Sequence, residues 1–135
     1  MSMKLEKRLP LTLLLLRVGV FVVMLMWTLD KLVHPEHAAK VYQKYYSLAG
    51  LDPAVFYAVG VVELIIIIGF LLGFRKRWTY GVVLVVHAVS TVASFGNYLT
   101  PFSNLLYFAA WPMLAACFAL YYLRDADTLL VVDKG

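Results

Sequence analysis

The sequence predicts an all-α membrane protein, an antiparallel four-transmembrane-helix bundle with a short amphipathic interfacial helix in the first outer loop. Three observations predict it. Of 135 residues, 63% are hydrophobic and 15% charged, and mean hydropathy is +0.82, a balance that soluble domains of this size do not carry. Apolar stretches of about twenty residues, long enough to cross a hydrocarbon core as helices, recur at roughly 10–33, 54–74, 78–98 and 104–123. Lysine and arginine gather on alternate connections. These features describe one integral membrane domain over residues 1–135.

Composition also excludes several classes. The single cysteine, Cys117, leaves no internal disulfide and no CxxC centre. The formal charge of +4 comes from basic ends and one basic loop, so nucleic acid is not an expected partner. Residues 9–33 exceed a signal-peptide core, Arg17 interrupts them and no small-residue cleavage site follows.

Helix 1 follows the basic start Lys4, Lys7 and Arg8, carries Arg17 two turns in, and ends on Asp30 and Lys31. The next loop repeats apolar or aromatic residues at helical spacing: Ala38, Val41, Tyr42, Tyr45, Tyr46 and Ala49. Lys40, Gln43, Lys44 and Ser47 fall opposite, with Pro35 suited to the first turn and Gly50 to the end. This amphipathic helix is either an interfacial anchor or a lid over a pocket. Helix 2 begins with Asp52 as N-cap and Pro53 in the first turn. It carries a lone carboxylate, Glu63, near its middle, and ends in a GxxxG pair, Gly69 and Gly73, suited to close packing within the bundle or between copies. Helix 3 follows Arg75, Lys76 and Arg77; helix 4 carries Trp111-Pro112 as an expected kink and a small pair, Ala115 and Ala119.

Charge bias orients the bundle. The N-terminus and the loop between helices 2 and 3 hold six Lys/Arg residues, and the tail adds Arg124 and Lys134. Both termini are therefore expected on the cytoplasmic side.

Depth along the helices points to a site. At 1.5 Å per residue, Arg17 falls about 10 Å, Glu63 roughly 16 Å and His87 about 13 Å from the inner ends of their helices. An Arg17–Glu63 pair with His87 nearby is expected, because a carboxylate facing lipid costs roughly 2.5 kcal/mol or more. Such a layer serves either as an ion pair that fixes packing or as a proton-handling or ligand-binding site. His87, Ser90, Thr91, Ser94, Asn97 and Tyr98 form one polar stripe on helix 3, while Arg17, Phe21, Met24, Thr28 and Lys31 share a face of helix 1. Together they outline a pocket opening outward, with Asp30, Lys31, Asn97 and Asn104 at its mouth. Hydroxyls in such helices also bond their own backbone or a neighbouring helix. Tyr107, Trp111 and Phe118 on one face of helix 4 read as packing before a quinone slot. His34 and His37 have no carboxylate cluster beside them, so no metal site is expected. Haem is not expected with His87 as the single deep histidine.

The run LLRVGVFVVMLMWTLDKLVHP, then VGVVELIIIIGFLLGF and a basic turn, resembles the DoxX-like family of small four-helix bacterial membrane proteins. The matching positions are Arg17, Gly19, Lys31-Leu32, Pro35, Glu63-Leu64, Gly69 and Gly73, and they cover the first 75 residues. Asp30 departs from the pattern, where a small residue is expected, and there is no second cysteine. The resemblance implies a bacterial inner-membrane protein of a family named after a subunit linked to quinol oxidation or thiosulfate:quinone oxidoreduction.

The reading favoured by these features is a quinone- or quinol-associated subunit of a membrane redox system. In it Glu63 and His87 exchange protons or bond the headgroup and Arg17 holds Glu63. No electron carrier is visible in the chain, so quinone is the only cofactor implied, and the expected partners are the lipid bilayer, other membrane or redox subunits, or further copies. The alternatives are a small transporter of a polar solute or proton, and a structural or assembly subunit.

Overall fold

A computed structural model of the chain describes residues 3–48, 50 and 52–132; the expectations for Ala49 and Lys134 lie outside these residues. Within them the chain is all-helical with no strand. The helices are α1 (Met3–Val33), α2 (Pro35–Tyr46), α3 (Pro53–Leu71), α4 (Lys76–Ala93), the single turn α5 (Phe95–Tyr98) and α6 (Ala110–Tyr122). A 3-10 segment, Leu105–Ala109, leads into α6. Three helical stretches, Lys4–Val33, Pro53–Leu71 and Leu105–Tyr122, are long and apolar enough to cross a membrane. α4, which carries Lys76, Arg77 and His87, is not one of them.

The local signals act largely as expected. Asp52 caps α3, its side chain accepting from the Ala54 N–H at 2.9 Å, and Pro53 occupies the first turn. Pro35 opens α2, whose Ala38 is buried while Lys40, Gln43, Lys44 and Ser47 are exposed. That helix stops at Tyr46 with Ser47 in the left-handed region (φ 56°), earlier than Gly50 suggests. The 78–98 stretch breaks at Ser94 into α4 and α5. Pro112 does not kink a continuous helix: the chain before it is 3-10, and it sits in the first turn of α6, where a missing N–H costs little.

α1 packs on α3 and α6, and α4 packs on α3 and α6. Leu13, Val20, Ile67, Phe70, Tyr80, Val83, Cys117 and Leu120 fill the core between them. Two ends are distinct. At the basic end the 72–77 turn meets the segment after α6, Val132 N–H donating to the Leu72 carbonyl at 2.7 Å. At the other end α2 lies over the helices, tied down by Tyr45.

The glycines Gly69, in α3, and Gly73, in the turn after it, serve contacts within the chain. A Cβ on Gly69 would meet the Thr79 methyl at 3.1 Å, and one on Gly73 (φ +64°) would meet Val131 at 2.5 Å. Gly73 thus allows both the left-handed turn out of α3 and the seating of the C-terminal segment.

Candidate functional site

The expected Arg17–Glu63 pair does not form. Arg17 is buried, and its Nη1 donates to Asp127 Oδ1 at 2.7 Å while Nη2 donates to the carbonyls of Leu129 (2.6 Å) and Leu130 (3.2 Å). Asp127 is fully buried and also accepts from the Tyr80 hydroxyl at 2.6 Å. Lys76 Nζ, likewise buried, donates to the carbonyls of Asp127 (2.6 Å) and Arg124 (3.1 Å). Side chains from α1 and α4 thereby clasp the C-terminal segment into the basic end.

Arg17 and Glu63 do not share a depth, because α1 begins at Met3 and its basic end lies beyond that of the other helices. Arg17 stands level with the 72–77 turn. Glu63 lies nine residues earlier on α3 than Leu72, about 14 Å further from the basic end. Thr28 and Lys31, further along α1, are what reach it. Glu63 Oε2 accepts from Lys31 Nζ at 3.0 Å and from Thr28 Oγ1 at 3.2 Å. The pair is only partly buried, with side-chain exposures of 15% and 19%. There are two charged layers, not one.

Glu63 and Lys31 belong to the wall of a cavity of about 760 Å³ bounded by α1, α2, α4, the α6 segment and, through Glu63, α3. His87, Ser90, Ser94 and Asp30 also line it. Thr91 is buried beside it, its hydroxyl donating to the His87 carbonyl at 2.8 Å, and Ser94 donates to the Ser90 carbonyl at 3.0 Å. Those hydroxyls therefore bond backbone of their own helix, the packing role such residues commonly take. Asn97 is not in the wall. It donates to the Tyr45 hydroxyl at 2.7 Å, and Tyr45 donates to Tyr107 at 3.0 Å. Asn104 is not among the lining residues either; its amide donates to the Thr100 carbonyl and hydroxyl.

His87 is the most constrained group. It is buried, and its ring stacks on Trp27 with centroids 5.8 Å apart. Nε2 lies 2.9 Å from the Ala110 carbonyl. The Ala110 carbonyl only accepts, so Nε2 carries a hydrogen, with the Thr91 hydroxyl oxygen also 3.2 Å from it; in the tautomer with a single ring hydrogen Nδ1 then keeps a lone pair. Among the described residues Nδ1 has no hydrogen-bond partner. A buried polar atom without a partner costs about 1–3 kcal/mol, and such atoms are rare without cause.

Sequence reasoning missed two parts of this arrangement. Tyr42, Tyr45, Tyr46 and Trp27 line the cavity, which gives α2 the lid geometry left open above. Burial, and then the nearby Glu63 carboxylate, push the Tyr42 phenol up, so it remains a hydroxyl donor. The second omission is Asp127, whose only sequence signal was an acidic residue soon after the last apolar stretch. At the mouth, His34 and His37 both reach the Asp30 carboxylate, and among the described residues no group of three His, Cys, Asp or Glu is placed to hold a metal.

No family model matches the chain, and neither a curated protein nor a solved structure is found similar to it.

Proposed function

We propose that the protein is a four-span antiparallel bundle of the bacterial inner membrane that binds a quinone or quinol headgroup in the α1–α2–α4–α6 cavity, as a subunit of a membrane redox system. The carrying observation is His87: a buried imidazole with an unpaired Nδ1, stacked on Trp27, in the wall of a cavity whose other walls are mostly apolar. A quinol hydroxyl donates to such a lone pair once a neighbouring side chain turns aside from the buried Nδ1, and Trp27 offers an aromatic face beside it. Glu63 and Lys31 lie in the same wall to relay protons, and electrons pass to a partner subunit. Membership of the DoxX-like family is part of this proposal.

α4 supports a fourth span despite its polar content. Lys76, Tyr80, His87 and Thr91 are buried, Thr79 and Ser90 partly so and Arg77 at its start exposed, whereas Trp78, Val82, Val85, Val86, Val89 and Val92 are exposed. A helix with its polar face inward and its apolar face outward suits lipid surroundings. With the basic end in the cytoplasm, a cysteine at Lys44, on a Cys117→Ser background, is expected to react with an impermeant thiol reagent from the periplasm. A cysteine at exposed Arg77 is expected to react only after the membrane is opened. The opposite pattern overturns the orientation.

His87→Ala is expected to weaken quinol-analogue binding several-fold, from a lost hydrogen bond of about 0.5–1.5 kcal/mol, with little change in melting temperature. Titration of wild type and variant in nanodiscs, with mass spectrometry of co-purifying lipid-soluble molecules, tests it. Absence of binding to the wild type sinks the reading. The transporter reading is favoured by the charges around the mouth, Asp30, Lys31, His34, His37 and Glu63, and requires the Arg17–Asp127 clasp to open during each cycle.

A further inference from the structure

The cavity has a direction. Along α1 it runs from Leu15 to Lys31, sixteen residues or about 24 Å. Its α2 end holds the ionisable and hydroxyl groups, Asp30, Lys31, Glu63, His87, Ser90 and the lid tyrosines. Its basic end holds Leu15, Leu16, Gly19, Val20, Met113 and Ala116, which carry no polar side chain. Both ends are covered, by α2 with its Tyr45–Asn97 and Tyr45–Tyr107 bonds and by the Arg17–Asp127 clasp. The side is not. Leu15, Trp27 and Leu106 line the cavity and yet are 64%, 45% and 90% exposed, all within stretches apolar enough to span a membrane.

Gly19 lines the apolar part and is itself exposed. A Cβ built there meets nothing within 4 Å. Its φ is an ordinary helical one, so no turn or close helix contact requires glycine. Glycine inside a helix weakens it relative to alanine, and what its absent side chain leaves is room.

We propose that the ligand enters sideways from the bilayer, between α1 and the 3-10 segment leading into α6, and lies with its headgroup at His87 and Glu63 and an apolar tail against Gly19. The inference rests on the quinone-binding reading above and adds the route and the need for a tail. A headgroup without a tail leaves the Gly19 half of the cavity unfilled.

The test uses the full chain in nanodiscs and two probes with the same dimethoxy-methyl-benzoquinol ring, one bearing a ten-carbon chain and one bearing none. Binding is read by quenching of tryptophan fluorescence. Gly19→Leu is expected to weaken binding of the chained probe by about tenfold through loss of buried methylenes. It leaves the unchained probe unaffected, and Gly19→Ala binds both as wild type does. Equal losses for both probes, or none for the chained one, overturn the tail placement while leaving the headgroup reading intact. Failure of both probes on wild type removes the headgroup reading and this inference with it. Should Gly19→Leu not fold, a photoreactive group at the chain terminus decides on the wild type. Cross-links at Leu15–Gly19 and Met113–Ala116 support the route, and cross-links confined to α2 overturn it.

Discussion

Asp127→Ala is expected to destabilise the protein by about 3–5 kcal/mol, the cost of removing one partner from a buried ion pair. The carboxylate is fully buried and joins two helices to the segment following α6, through Arg17 of α1 and Tyr80 of α4. Without it the Arg17 guanidinium keeps its burial and its two carbonyl acceptors but loses its counter-charge. The Tyr80 hydroxyl loses its acceptor as well. Replacing both charges, Arg17→Met with Asp127→Leu, is expected to recover much of that loss, because an apolar pair carries no desolvation cost. Denaturation of the single and double variants in detergent measures the coupling. If Asp127→Ala melts as wild type does, the clasp contributes nothing. A further consequence is proteolytic: with the clasp broken, cleavage after Arg124 is expected to quicken, since that segment is otherwise seated on Leu72 and Gly73.

Gly60→Val is the second large effect, expected at about 1–3 kcal/mol from overpacking. A Cβ at Gly60 would lie 2.7 Å from Leu32 Cδ2 and 2.9 Å from its Cγ, with Lys31 Cβ at 3.6 Å. α1 and α3 must move apart to admit it, which draws Lys31 away from Glu63. The variant is therefore expected to lose stability and, in the binding titration, to weaken quinol affinity as well. Gly60→Ala separates the two causes: it adds the contact with Leu32, which a rotamer change can relieve, and is expected to keep more of the Lys31–Glu63 pair. Unchanged stability in Gly60→Val overturns the close α1–α3 approach as the element that sets this pair.

Much of the helix pattern is legible in the chain because it follows from local chemistry. Asp52-Pro53 starts α3, Pro35 starts α2, and the alternation of Ala38, Val41, Tyr42, Tyr45 and Tyr46 with lysines sets the faces of α2. Glu63, His87, Ser90, Ser94, Asp30 and Lys31 were found as cavity residues because ionisable and hydroxyl groups stand out in apolar runs. Thr91, Asn97 and Asn104 share the stripe's chemistry, but their bonds go to backbone, to Tyr45 and to Thr100. Composition does not distinguish a hydroxyl that faces a cavity from one that bonds the turn before it.

The sequence by itself determined an all-helical chain with apolar stretches fit to cross a membrane, four by its own reading and three in the structure, an amphipathic helix between the first two, and the residues that need burial or pairing. Which charge pairs with which was decided only by tertiary structure. Arg17 and Glu63 each required a partner, and helix geometry converts residue number into depth only when the helix ends are level. α1 overshoots the basic end, so Arg17 falls to Asp127, a residue 110 positions away, and Lys31 is left for Glu63. Pairing over that separation depends on how far helices slide along one another. That is set by packing, at Gly60 against Leu32 and Gly73 against Val131, where the missing side chain matters only once the second surface is in place.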